Sequence, residues 1–236
     1  MRKSFYAGLA TVLFITALPE LSPAAGLIIT GVIDGPLSGG TPKAVELYAL
    51  EDIGNLSIYG LGFANNGEGS DGLEFAFPAL SAHAGDFFYI ASETEQFVNF
   101  FGFAPDAATG KANINGDDAV ELFRDNSVVD VFGTVFKDGT GQPWEYLDGW
   151  AYRNDGTGGG DSSAFHPADW FFSGPDSLDA AQANLTAEYP FPVGSFLPAS
   201  GPKPIPTPEP ASLLLLASGL AGLAAGKGKR RGRQNK

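Results

Sequence analysis

The groups able to change protonation, attack or ligate are few in this chain. It has no cysteine and only two histidines, so thiol catalysis and thiolate metal sites are excluded. His83 precedes the turn-forming Ala84-Gly85-Asp86 and His166 precedes Pro167. Both read as exposed loop residues with no nucleophile at a telling spacing. No G-x-S-x-G elbow, P-loop, H-E-x-x-H or dinucleotide fingerprint is present. Carboxylates are the abundant reactive type. Asp117 and Asp118 stand side by side after Asn115-Gly116, and Asp155 and Asp161 flank a Gly-rich loop. Hard oxygen ligands on turns suit Ca²⁺, but neither stretch has the alternating acids and closing glutamate of a twelve-residue calcium loop. At most adventitious, weak Ca²⁺ binding is expected there, and no other cofactor. Aromatic side chains offer a different chemistry. Trp144, Tyr146, Trp150, Tyr152, Trp170, Phe171 and Phe172 crowd the last third of the chain, and aromatic faces beside acids and amides can hold sugar rings. Trp150 and Tyr152 alternate as core residues do, which leaves Trp144 and Trp170 as candidate glycan contacts.

These groups must be positioned by strands. From Leu27 the chain alternates apolar and polar residues in short runs broken by turn chemistry. The runs are 26–34, 44–50, 56–63, 73–77, 87–91, 120–123, 128–132 and 150–152, with Asp125-Asn126 a tight turn between two of them. One stretch departs from this period. Ser92-Glu93-Thr94-Glu95 has the form of a capping box, and Phe97, Phe100 and Phe101 follow at helical spacing before Gly102. The expected fold is all-β: a β-sandwich with one short peripheral helix.

The two ends carry addresses. Met1-Arg2-Lys3 is cationic, Phe5 to Leu18 is apolar, and small residues follow. This is the pattern of a signal peptide over 1–25, cleaved after Ala24 or Ala25 by signal peptidase once the export machinery has engaged it. At the other end stand Pro208-Glu209-Pro210, an apolar run over 211–225, and a basic end with Arg230, Arg231 and Arg233. Fifteen helical residues span roughly 22 Å, short of the ~30 Å bilayer core, but the basic flank fits a membrane-spanning segment. The domain is expected over 26–189, and the prolines crowding 190–207 read as an extended linker.

Without the basic residues of the two ends and without Glu20 and Glu209, 6 Lys and Arg face 25 Asp and Glu, a net charge of −19. A field of that sign repels phosphate backbones, so nucleic acid is not an expected partner.

The tail over 208–233 resembles the PEP-CTERM sorting signal of exported bacterial proteins. That resemblance implies export across the inner membrane, transient retention there by the tail, and processing near Pro208, Glu209 and Pro210 by an exosortase-type transpeptidase, with delivery to the cell surface or beyond. The order of segments between Leu27 and Arg153 resembles a lamin-tail-type domain. It is carried by Val45-Glu46-Leu47, the stretches 56–63 and 80–91, and Asn115-Gly116-Asp117-Asp118-Ala119-Val120-Glu121-Leu122. This implies an immunoglobulin-like sandwich with a generic binding or scaffolding role. The expectation is therefore a non-enzymatic surface or extracellular-matrix module, with extracellular polysaccharide as a candidate partner. A carbohydrate-binding module using Trp144 and Trp170 is the second reading, and a carboxylate-based hydrolase the third.

Overall fold

The computed structural model describes residues 26–158 and 164–199. The expected signal helix, the sorting helix, Ala24, Ala25, Asp161, and the sorting residues Pro208, Glu209, Pro210, Arg230, Arg231 and Arg233 lie outside the described residues.

Among the described residues, ten strands form two sheets. Strands β1 (Leu27–Leu37), β2 (Thr41–Ala49), β5 (Phe87–Ala91), β6 (Ala107–Ala108), β9 (Gly149–Arg153) and β10 (Trp170–Phe172) build the larger sheet in the order β10-β9-β1-β2-β5-β6. Strands β3 (Tyr59–Ala64), β4 (Phe75–Ala76), β7 (Ala119–Arg124) and β8 (Ser127–Phe132) build the smaller one in the order β4-β3-β7-β8. All pairs are antiparallel except β5 with β6. One helix, α1 (Glu95–Phe101), lies between β5 and β6 in the chain. The inner faces share one core that includes Ile29, Leu47, Leu61, Leu122 and Phe132. The architecture is a mostly-β, two-sheet sandwich and fits an immunoglobulin-like domain.

Local chemistry explains the elements. Asp125 and Asn126 both take positive φ, 49° and 64°, the conformation a two-residue β7–β8 hairpin needs and one these residues tolerate. At α1 the capping box does not form. Thr94 makes no side-chain cap bond; the Gln96 N–H donates instead to Glu93 Oε2 at 2.7 Å. Phe97 and Phe100 are buried, and Gly102 at φ 81° closes the helix by donating to the Val98 carbonyl.

Three features depart from expectation. Strand β1 runs through Gly35-Pro36 to Leu37, because the hairpin to Thr41 closes only there. Strand β10 was not foreseen; three consecutive aromatics give no alternation to read. The third concerns the linker. Phe191 and Phe196 are 3% and 2% exposed, so the chain from Pro190 to Pro198 belongs to the domain, whose compact unit reaches Pro198. Two phenylalanines among the prolines bring the chain down onto the sheet, with a turn at Val193-Gly194 between them. A side chain at Gly31 would meet the Phe191 ring at 2.5 Å, so glycine there makes the close approach possible.

Candidate functional site

The site is built on the ribbon β9–β10, whose two faces differ. Opposed residues of an antiparallel pair share a face, and Arg153 pairs with Trp170, Tyr152 with Phe171, and Ala151 with Phe172.

Arg153 and Trp170 face the sandwich. In β1 the register shifts between Ile29 and Gly31, and pairing with β9 begins only at Gly31. The backbone of Ile29 is therefore left to other partners. Its N–H donates to Asp130 Oδ2 at 2.8 Å, and its carbonyl accepts from Arg153 Nε at 2.6 Å. Arg153 Nη2 donates to both oxygens of Asp130 at 2.8 and 2.7 Å. The side chains of Arg153 and Asp130 are 3% and 1% exposed. The guanidinium lies 4.5 Å from the Trp170 ring centroid, a cation–π contact out of water. This arrangement ties β8, at the edge of the smaller sheet, to β1 and β9 of the larger one.

Trp170 is thus committed to the interior. Trp144 is too: it is 4% exposed and packs edge-on against Phe132 and Phe165. Neither ring offers a free face to a sugar. This corrects the assignment of glycan contact to Trp144 and Trp170. The parity of β9 and β10 turns those rings inward and turns others outward.

Trp150, Tyr152 and Phe171 occupy the outer face, where residues 191–197 cross the sheet as a strap. Asn184 holds one end, donating to the Phe191 carbonyl and accepting from the Phe191 N–H at 2.9 and 2.8 Å. Phe191 packs edge-on against Trp150 and Tyr152, and Phe196 against Tyr48. Three side chains take up the N–H groups of the strap. Glu46 accepts from Gly194, Tyr152 Oη from Ser195 and Phe196, and Asp155 from Leu197. Glu46 also accepts from Thr30 and Tyr152, both at 2.7 Å. Burial pushes the Glu46 carboxyl above the usual carboxylate range, against the pull of these hydrogen bonds. Thr30 and Glu46 are 0% and 1% exposed. Strand β2 is therefore buried on both faces, the one with Val45 and Leu47 and the one with Glu46 and Tyr48.

Between the ribbon and the strap lies a shallow, open pocket of ≈350 Å³. Phe171, 54% exposed, forms one wall. Its ring lies 5.4 Å from Trp150 and is tilted by 33°. Pro192 and Ser195 of the strap face it, with Asn154 and Asp155 at the end of β9.

The remaining candidates are structural or exposed. Asp118 is 1% exposed and accepts from the N–H groups of Asn66 and Asn115 at 2.7 and 3.0 Å. Burial raises its pKa to about 6. Asp117 accepts from the Thr140 hydroxyl. Asp34 bonds Lys43 Nζ at 2.9 Å, and burial outweighs that cation to put its pKa at about 6. The structure does not bring Asp117 and Asp118 together with Asp155, which serves the strap. The carboxylates that do converge are Asp148, Asp176 and Asp179, whose ligand atoms lie within 4.8 Å of one another. Burial, then Asp179 and Asp176, raise the Asp148 pKa. Three oxygen donors of this kind could hold a hard cation. Asp176 and Asp179 are three residues apart, but Asp148 lies 28 residues before Asp176, so no spacing announces the set. His83 and His166 are both exposed.

Phe191 and Phe196 escape the sequence reading, which names Phe171 only within the aromatic cluster and not as a contact. The signal available for Phe191 and Phe196 was large aromatics within a proline-rich stretch, which solvated linkers do not need. For Arg153 it was a rare cation at the end of an apolar strand in a strongly acidic segment.

Residues 206–231 match the family described as the PEP-CTERM protein-sorting motif. No curated protein matches the chain. The chain carries the sorting signal of an exported protein, one that implies processing by exosortase and membrane-associated sorting toward the cell surface.

Proposed function

We propose that the domain over 26–198 is a non-enzymatic binding or structural module, delivered by its tail to the outer surface or extracellular matrix of a Gram-negative cell. The observation that carries this reading is the placement of the sorting motif. The strap ends the domain at Pro198, upstream of the matched residues 206–231, so processing near Pro208 leaves every strand and the strap intact. The immunoglobulin-like architecture and the lamin-tail-like order of segments agree with a scaffolding role, though a fold by itself does not fix a function. The buried acids also support it. Asp34, Glu46 and Asp130 are each bonded to backbone or side-chain groups of other strands or of the strap, an arrangement that holds elements together.

The test is cell fractionation in a host encoding an exosortase. Replacing Pro208, Glu209 and Pro210 by alanine is expected to leave the chain exported but held at the inner membrane with its tail attached. Release equal to that of the wild type would contradict the reading.

A further inference from the structure

We propose that the pocket between β10 and the strap binds one neutral pyranose residue of a polysaccharide, with Phe171 as the stacking platform. This rests on the binding-module reading above and names its ligand class.

Several polar atoms around the pocket are already engaged. Asn154 Nδ2 donates one proton to the Ala168 carbonyl at 3.1 Å, leaving Oδ1 and the second Nδ2 proton. Asp155 Oδ1 accepts from the Leu197 N–H at 2.8 Å, leaving Oδ2. Ser195 Oγ donates its proton to the Pro192 carbonyl at 2.7 Å, leaving oxygen lone pairs. Nε and Nη2 of Arg153, the cation among the lining residues, are committed to the Ile29 carbonyl and to Asp130. Trp150 Nε1–H is committed to the Tyr189 carbonyl. Among the described residues, then, the free side-chain groups of the rim are mostly acceptors, with one Asn154 Nδ2 proton as a donor.

A ligand suited to this rim brings several donors and no negative charge, and it needs an apolar face for the exposed Phe171 ring. Anionic groups meet both the Asp155 carboxylate and the −19 charge of the exported segment. Among the described lining residues Asp155 is the single carboxylate, which by itself makes no cage for a cation. A neutral pyranose has hydroxyl donors around its edge and a C–H face, so it meets all three conditions. The volume of ≈350 Å³ is at the small end of the ~300–1,000 Å³ typical of ligand sites, which suits one ring of a chain that continues into solvent across the open side.

The full-length chain in detergent is titrated calorimetrically with cellohexaose, maltohexaose, mannohexaose and an alginate hexamer, the last as the anionic probe. At least one neutral hexasaccharide is expected to bind, and Phe171→Ala to weaken it at least roughly tenfold, the equivalent of about 1.4 kcal/mol of lost ring contact. Trp144→Phe, away from the pocket, is expected to leave the affinity unchanged. Because Phe171 is largely exposed, its truncation should also leave the thermal midpoint in place, and that midpoint is measured alongside. No binding by any neutral hexasaccharide at millimolar concentration would overturn the proposal. So would binding that Phe171→Ala does not weaken, or binding by alginate alone. Release of new reducing ends from a bound probe would instead overturn the non-enzymatic reading and leave the binding site standing.

Discussion

Trp170 and its neighbour Phe171 sit on opposite faces of one short strand, and the contrast between those faces organises this domain. Inside, Trp170 covers a guanidinium that is 3% exposed and bonded to Asp130 and Ile29. The Nη2 contacts with Asp130 join the two sheets, and the Nε contact with Ile29 ties β9 to β1. Outside, Phe171 is 54% exposed beside acceptors that are only half used. The same ribbon therefore locks the sandwich with one parity and presents a surface with the other. Aromatic content alone does not separate these roles. The pairing register does, because a one-residue slip would exchange the two sets.

If the inner face is the lock, breaking it should have the largest effect. Arg153→Met leaves Asp130 buried without its cation and the Ile29 carbonyl without its donor. Removing one partner of a buried pair costs about 3–5 kcal/mol, read as a lowered urea midpoint for global unfolding. A smaller loss is expected from the outer face. Phe191→Ala removes a buried ring over Gly31, Trp150 and Tyr152, at a cost of about 3 kcal/mol. Because the strap lies over the sheet, we expect this loss to appear first as local opening. Equal effects on global unfolding would erase the distinction between lock and cover.

The smallest effect concerns pH. Asp34 and Asp118, with pKa raised by burial from 3.8 to about 6, bind protons more tightly folded than unfolded. Their contribution to stability is complete below 3.8 and is lost as pH rises through about 6. Between pH 5 and pH 7 each should remove on the order of 1 kcal/mol. Comparing unfolding free energies at those two pH values, Asp118→Asn should show a flatter dependence than wild type by about that amount. An unchanged slope would mean that Asp118 is not held by burial as described.

The sequence made some of this legible and hid the rest for physical reasons. Alternation located most strands, and Asp125-Asn126 announced a hairpin, because both signals are local. The sorting tail was readable because three segments with distinct chemistry stand in a fixed order. What failed depended on long-range partners. Nothing in β2 reveals that residues 191–196, some 150 positions later, cover Glu46. Trp170 looked available because its partner Arg153 lies across a strand pairing that aromatic runs do not encode. That Asp155 Oδ1 holds the Leu197 N–H was equally hidden; a turn carboxylate and a strap anchor have the same residue type.

The central claim is that the chain from Phe191 to Leu197 is part of the domain, so that the outer face and its pocket persist when the sorting tail is removed. Native-state hydrogen exchange on the full-length chain tests this at the amides of Gly194, Ser195 and Phe196, which donate to Glu46 and Tyr152. The account predicts protection well above that of an unstructured peptide, reduced in Tyr152→Phe at Ser195 and Phe196 but not at Ile29. Exchange of the three amides at unprotected rates in the wild type would show a linker, and would remove both the strap and the pocket it helps to form.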